Sequence, residues 1–248
     1  MDHSPVALDL VLMLVLCVIY PVADAVWFHP RFIRAAEAGR PDARQWWYAV
    51  TIAMTWAFTG VVAALWVAYR RPWTALHLGA VRPLGLALGL GLSVLYAGAT
   101  WAQVRALFAR PDGRARFRRA FARASAMLPR TAGERWGFAL TALTAGICEE
   151  VLYRGYVMWF CAVWTGPIAA VVLSSALFGA GHLYLGATHV VRAGLVGLVL
   201  ATIVVATGSL WPAIILHAVI DLVAGEMGYM GLRDQDTEAN RSKYQSSS

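Results

Sequence analysis

Charge is scarce in this chain. Asp, Glu, Lys and Arg make up 14% of its 248 residues, where an ordinary soluble domain carries about 25%. Too few ionised side chains remain to cover a water-exposed surface, which argues against a water-soluble domain. Lysine is nearly absent: Lys243 stands against 20 arginines, a bias that a GC-rich bacterial genome encodes. Cysteine is limited to Cys17, Cys148 and Cys161, an odd number without a CxxC pair, so neither a disulfide framework nor a two-cysteine metal clip is available. HExxH, which would put two zinc-binding histidines on one helical face, is missing too. No internal repeat and no second soluble domain is visible. The net charge of +7 points to a membrane surface before any nucleic acid, because of where its arginines lie.

What the chain has in abundance is apolar residues, 59% of the total, in blocks near the length a helix needs to cross a bilayer. Run length places membrane helices at roughly 5–27, 46–69, 84–104, 136–163, 167–182, 190–207 and 211–230. The fold class is therefore all-α, a polytopic transmembrane helix bundle of about seven spans. Ala23-Asp24-Ala25 has the small-x-small form of a leader cleavage site. The segment carries Asp2 and Asp9 in place of a basic start, however, and we read it as a retained span. Arginine is concentrated before residue 46 (Arg31, Arg34, Arg40, Arg44) and between Arg105 and Arg135, which makes these loops cytoplasmic. The expected topology is N-terminus out and C-terminus in, and the expected location is a bacterial inner membrane. Before the fourth span, Phe117, Phe121, Ala124 and Leu128 form a stripe avoided by Arg114, Arg118, Arg119 and Arg123, as in an interfacial amphipathic helix on anionic lipid. Gly85-x-x-x-Gly89, with Gly91, suits close helix packing. Residues 1–230 form one integral membrane domain in this reading, and 231–248 a polar, disordered cytoplasmic tail.

Span four holds Glu149, Glu150 and Arg154 in an otherwise apolar helix. Ionisable residues there are costly and by default mark a functional site. Glu150 and Arg154, at i and i+4, can form an ion pair, while Glu149 points about 100° away and stays available to take and return a proton. Span five ends in Phe178-Gly179-Ala180-Gly181-His182, and span seven contains His217 with Asp221 at i+4, placed to hydrogen-bond the imidazole. The glycines around His182, Gly186 included, leave room for another helix or for an extended peptide. Asp9, Asp24, His189 and Glu226 lie near span ends and read as interfacial. The same residues would also suit a structural ion-pair cluster or a proton relay in a transporter, and all three readings stay open at this point.

Taken together, Glu149-Glu150-x-x-x-Arg154, Phe178-x-x-x-His182 and His217-x-x-x-Asp221 resemble the EExxxR, FxxxH and HxxxN/D motifs of the CPBP family of intramembrane proteases. That group of CAAX-processing and bacteriocin-processing proteins includes the type II prenyl endopeptidases and the Abi proteins. The resemblance covers residues 134–225, with the third motif in its Asp form. It implies an intramembrane endopeptidase acting on a membrane-anchored or lipid-modified protein. Glu149 and His182 would activate water and His217 with Asp221 would stabilise the oxyanion, with Glu150, Arg154 and Phe178 in support. An Asp at 221 cannot donate unless protonated, so its part would be to orient His217. No cofactor is expected; the alternative is zinc on Glu149, His182 and His217. The expected partners are the substrate and the lipid bilayer, with no nucleic acid. The alternative function is a non-catalytic immunity or scaffold protein retaining the protease fold.

Overall fold

The computed structural model describes residues 4–79 and 82–246, with side chains as far as Leu232. Among the described residues it is helical with no strand. Five helices are long and apolar enough to cross a membrane: α1 (Ala7–Glu37), α2 (Ala43–Ala68), α3 (Pro83–Phe108), α7 (Ala187–Thr207) and, through Leu232, α8 (Trp211–Ser246). A short α4 (Gly113–Ala120) precedes α5, residues 132–165, and α6 is Pro167–Ala180. α5 and α6 correspond to the expected fourth and fifth spans. The first is interrupted by its charges. The second has 14 residues, about 21 Å of helix, short of the roughly 30 Å hydrocarbon core.

The bundle is organised around α5, which packs against α2, α6 and α8, while α8 also lies along α3 and α6 along α7. Leu152 and Tyr156 of α5 meet Trp66, Leu76, Leu200 and Leu210 in the buried core. The outer faces stay apolar: Leu84 and Ile168 are each 84% exposed. In water that would be a liability; facing lipid tails it is the natural solvent-side residue choice.

Where α3 and α8 cross, Gly89 has no room for a side chain. A Cβ there would stand 2.7 Å from the Pro212 Cα, and one on Gly85 would meet Thr207 at 3.4 Å, whereas Gly91 faces open space. Alanine gains about 1 kcal/mol of helix propensity over glycine, but overpacking against a backbone atom costs about 1–3 kcal/mol. Gly91→Ala is thus expected to hold or slightly raise the thermal midpoint of the detergent-solubilised protein, and Gly89→Ala to lower it. Equal midpoints would show that the crossing can relax.

Of the expected amphipathic helix only α4 is helical, with Phe121 and Ala124 following it in turns and Leu128 in a bend, and Phe117 and Leu128 of the stripe turn inward. Phe117, 2% exposed, stacks on Phe121 with ring centroids 4.4 Å apart, and packs edge-on against Phe108 and against Gly231 of α8. The α8 backbone continues through Ser246, across the segment from Gly231 for which the sequence suggests a disordered tail. From Leu232 onward no glycine or proline interrupts it. Ser247 and Ser248 lie outside the described residues.

Two residues expected at the interface are instead buried. Asp9 is wholly enclosed, taking two hydrogen bonds from Arg71 (2.9 and 2.6 Å) and one from the Val6 N–H (2.7 Å). The Tyr156 hydroxyl donates to the Asp9 carbonyl at 2.9 Å. Arg71 in turn lies over the rings of Trp66, Tyr69 and Trp159. This fully satisfied pair ties α1, the α2–α3 loop and α5 together. Asp24 is buried as well, at 6% exposure. Glu226 does lie at the surface, paired to Arg135 at 2.7 Å.

Candidate active site

The helix that carries the two glutamates starts on a capping box. Thr131 Oγ1 accepts from the Glu134 N–H, and Glu134 Oε2 accepts from the Thr131 N–H, satisfying two otherwise orphaned donors. Arg44 of α2 donates to Glu134 at 3.2 Å and to the Ala126 carbonyl at 2.9 Å, and the Tyr48 hydroxyl donates to the Met127 carbonyl at 2.6 Å. The start of α5 is thereby pinned to α2 before the chain enters the bundle.

Within α5, Ala132–Glu149 is regular α-helix and Glu150–Val157 is a π-helical stretch. Such widened turns re-aim side chains and recur at functional sites. Here the Tyr153 carbonyl, bonded by the Met158 N–H, also accepts from Ser174 Oγ at 2.6 Å, which fastens the widened turn to α6. One turn earlier, a Cβ on Gly146 would stand 2.7 Å from the Ala218 Cβ and 2.9 Å from the Ala218 N. The bare backbone lets α5 and α8 touch beside His217.

That approach sets the central geometry. Glu150 and Arg154, both fully buried, are joined at 2.8 Å, as the i,i+4 spacing predicts. Glu150 Oε1 also accepts from His217 Nδ1 at 2.8 Å. Asp221, which the sequence suggests as the imidazole's partner, has its Oδ2 at 3.7 Å from Nε2, too far for a hydrogen bond. The reason is steric access: Nδ1 faces α5, and Glu150 fills that direction. Glu149 projects the other way, its Oε2 3.9 Å from His217 Nε2.

His182 caps α6, with its Nδ1 bonded to the Phe178 carbonyl at 3.0 Å. If Nδ1 carries the proton for that bond, Nε2 is left as an acceptor. Phe178, 2% exposed, sits among all these groups. Its ring packs edge-on against His182 at 5.0 Å and His217 at 5.7 Å, and the Arg154 guanidinium lies 4.1 Å above it. Of the glycines near His182, Gly179 approaches the α7 backbone at Val190 and Gly194, while Gly181 lines the cavity described next.

Glu149, His182 and Asp221 line one cavity of about 430 Å³. Its walls include Leu16, Phe58 and Leu152, so the carboxylates and the imidazole face an apolar enclosure. The sequence motifs account for those three groups but miss Tyr20, Asp24, Tyr153 and Tyr184, which line the same space. Nothing in their local spacing marks them. His189 lines the cavity too. As for zinc, no group of three or more His, Cys, Asp or Glu side chains is arranged to hold a metal ion among the described residues. Glu149, His182 and His217 are not gathered into such a group.

No curated protein and no solved structure matches the chain. Residues 131–223, which supply every motif side chain described above, match the family model for type II CAAX prenyl endopeptidase Rce1-like proteins. The apolar helices and this match make the molecule an integral membrane protein. This similarity spans residues 131–223 of the 248 and agrees with the motif resemblance to intramembrane proteases.

Proposed function

We propose that the protein is an intramembrane endopeptidase that hydrolyses a peptide bond of a membrane-anchored or lipid-modified protein on the cytoplasmic side of a bacterial inner membrane. The observation that carries this reading is the convergence of Glu149, His182 and Asp221 on one cavity, with His217 Nε2 3.9 Å from Glu149. A water between Glu149 and His182 Nε2 has an acceptor for each of its protons. Glu149 takes one as the oxygen attacks the scissile carbonyl, and returns it to the departing amine, so the products are a new carboxylate and a new amine. His217 is the oxyanion donor. Because its Nδ1 is held by Glu150, donation from Nε2 requires a ring carrying both protons, and Glu149, Glu150 and Asp221 surround that charge. Asp221 acts through its charge rather than through a bond to the ring. Glu150, with Arg154 and Phe178, holds the histidines in place.

The test is to compare membrane-protein termini in cells carrying wild type, Glu149→Gln and a deletion, with both proteins accumulating equally. New termini confined to wild type support the proposal and name the substrate. Identical termini in all three, with Glu149→Gln rescuing the deletion phenotype, would instead favour a non-catalytic scaffold.

A further inference from the structure

Two aspartates on α1 receive opposite treatment. Asp9 is surrounded by donors from Arg71 and Val6. Asp24 is 6% exposed, lines the cavity with Glu149 and Asp221, and begins the π-helical turn Asp24–Phe28. Among the described residues no side-chain hydrogen bond or ion pair reaches its carboxylate. A carboxylate in a membrane span is costly unless paired, and a lone one facing a cavity marks a site where a ligand completes it. It lies outside the segment that matches the family.

The ligand's chemistry follows from the surroundings. A carboxylate only accepts, so its complement is an N–H group, and in an apolar enclosure a cationic one binds most strongly. Three carboxylates, Asp24, Glu149 and Asp221, line the cavity against one arginine, Arg192, so acidic groups outnumber arginines there. Arg154 and Arg71 pair with Glu150 and Asp9, and the exposed Arg192 makes no ion pair with Asp24 among the described residues. The missing cation therefore comes from outside the chain. We propose that Asp24 is a specificity-determining residue that receives a Lys or Arg side chain of the substrate flanking the scissile bond, the methylene stem lying along Leu16 and Phe58. This rests on the protease reading above.

The experiment maps Glu149-dependent termini in cells expressing wild type, Asp24→Asn and Asp24→Glu at matched levels. Wild type is expected to show Lys or Arg enriched beside the cuts. Asp24→Asn should lose those cuts by about tenfold or more while cuts flanked by neutral residues persist, the effect of deleting one charge-assisted bond. Asp24→Glu should keep them. The proposal is overturned if wild-type cuts show no basic enrichment, or if both variants slow every cut alike. Should Asp24→Asn fail to accumulate, the wild-type map and Asp24→Glu decide by the same criteria. Absence of any Glu149-dependent terminus would instead overturn the protease reading, and this inference with it.

Discussion

On a substrate identified from its new terminus, Glu149→Gln in proteoliposomes is expected to lower kcat by about 10²–10⁴-fold, with KM nearly unchanged. The amide is close in shape to the carboxylate but cannot take a proton, so the step lost is water activation. Folding should survive, because among the described residues Glu149 makes no hydrogen bond that the amide would break: His217 stands at 3.9 Å, and the Glu149 side chain is 21% exposed. Unchanged kcat would remove Glu149 from the chemistry. A large rise in KM with kcat retained would assign it to binding instead.

Arg154→Met is expected to have the largest effect on stability, a loss of about 3–5 kcal/mol, because it removes the guanidinium paired with wholly buried Glu150 and leaves His217 as the partner of a site crowded with carboxylates. The buried free thiols of Cys17, Cys148 and Cys161 provide the readout, since each reacts with a maleimide dye only when the bundle opens on heating. Replacing both partners separates charge from hydrogen bonding. Glu150→Leu with Arg154→Met removes both charges and should recover part of the loss. It leaves His217 Nδ1 without its acceptor, a residual cost of about 1–3 kcal/mol, and the enzyme should stay inactive. Glu150→Gln with Arg154→Met keeps an oxygen for Nδ1 and should regain measurable turnover. If the two double variants are equally inactive, the charge of Glu150, and not its grip on His217, is what the site needs.

Much of this protein was legible in its one-dimensional pattern. Apolar run length marked the helices that cross the bilayer, because a helix rises a constant distance per residue and the hydrocarbon core has a nearly constant thickness. The i,i+4 spacing put Glu150 and Arg154 on one face, and they pair there. Gly85 and Gly89 were readable as a packing surface for the same reason. Each of these is a property of a single helix, which local periodicity encodes.

Tertiary structure decided what lies between helices. His217 had a candidate partner four residues away in Asp221 and another 67 residues away in Glu150; the distant one holds it, because Gly146 lets α5 reach the imidazole first. Asp9 and Asp24 looked alike in sequence, as single acids in one span. Arg71, 62 residues from Asp9, makes the first a structural anchor, while the second faces the cavity. Spacing along one helix says which side chains share a face. Which partner that face meets depends on how closely two backbones approach, and that is set by the packing of the whole bundle.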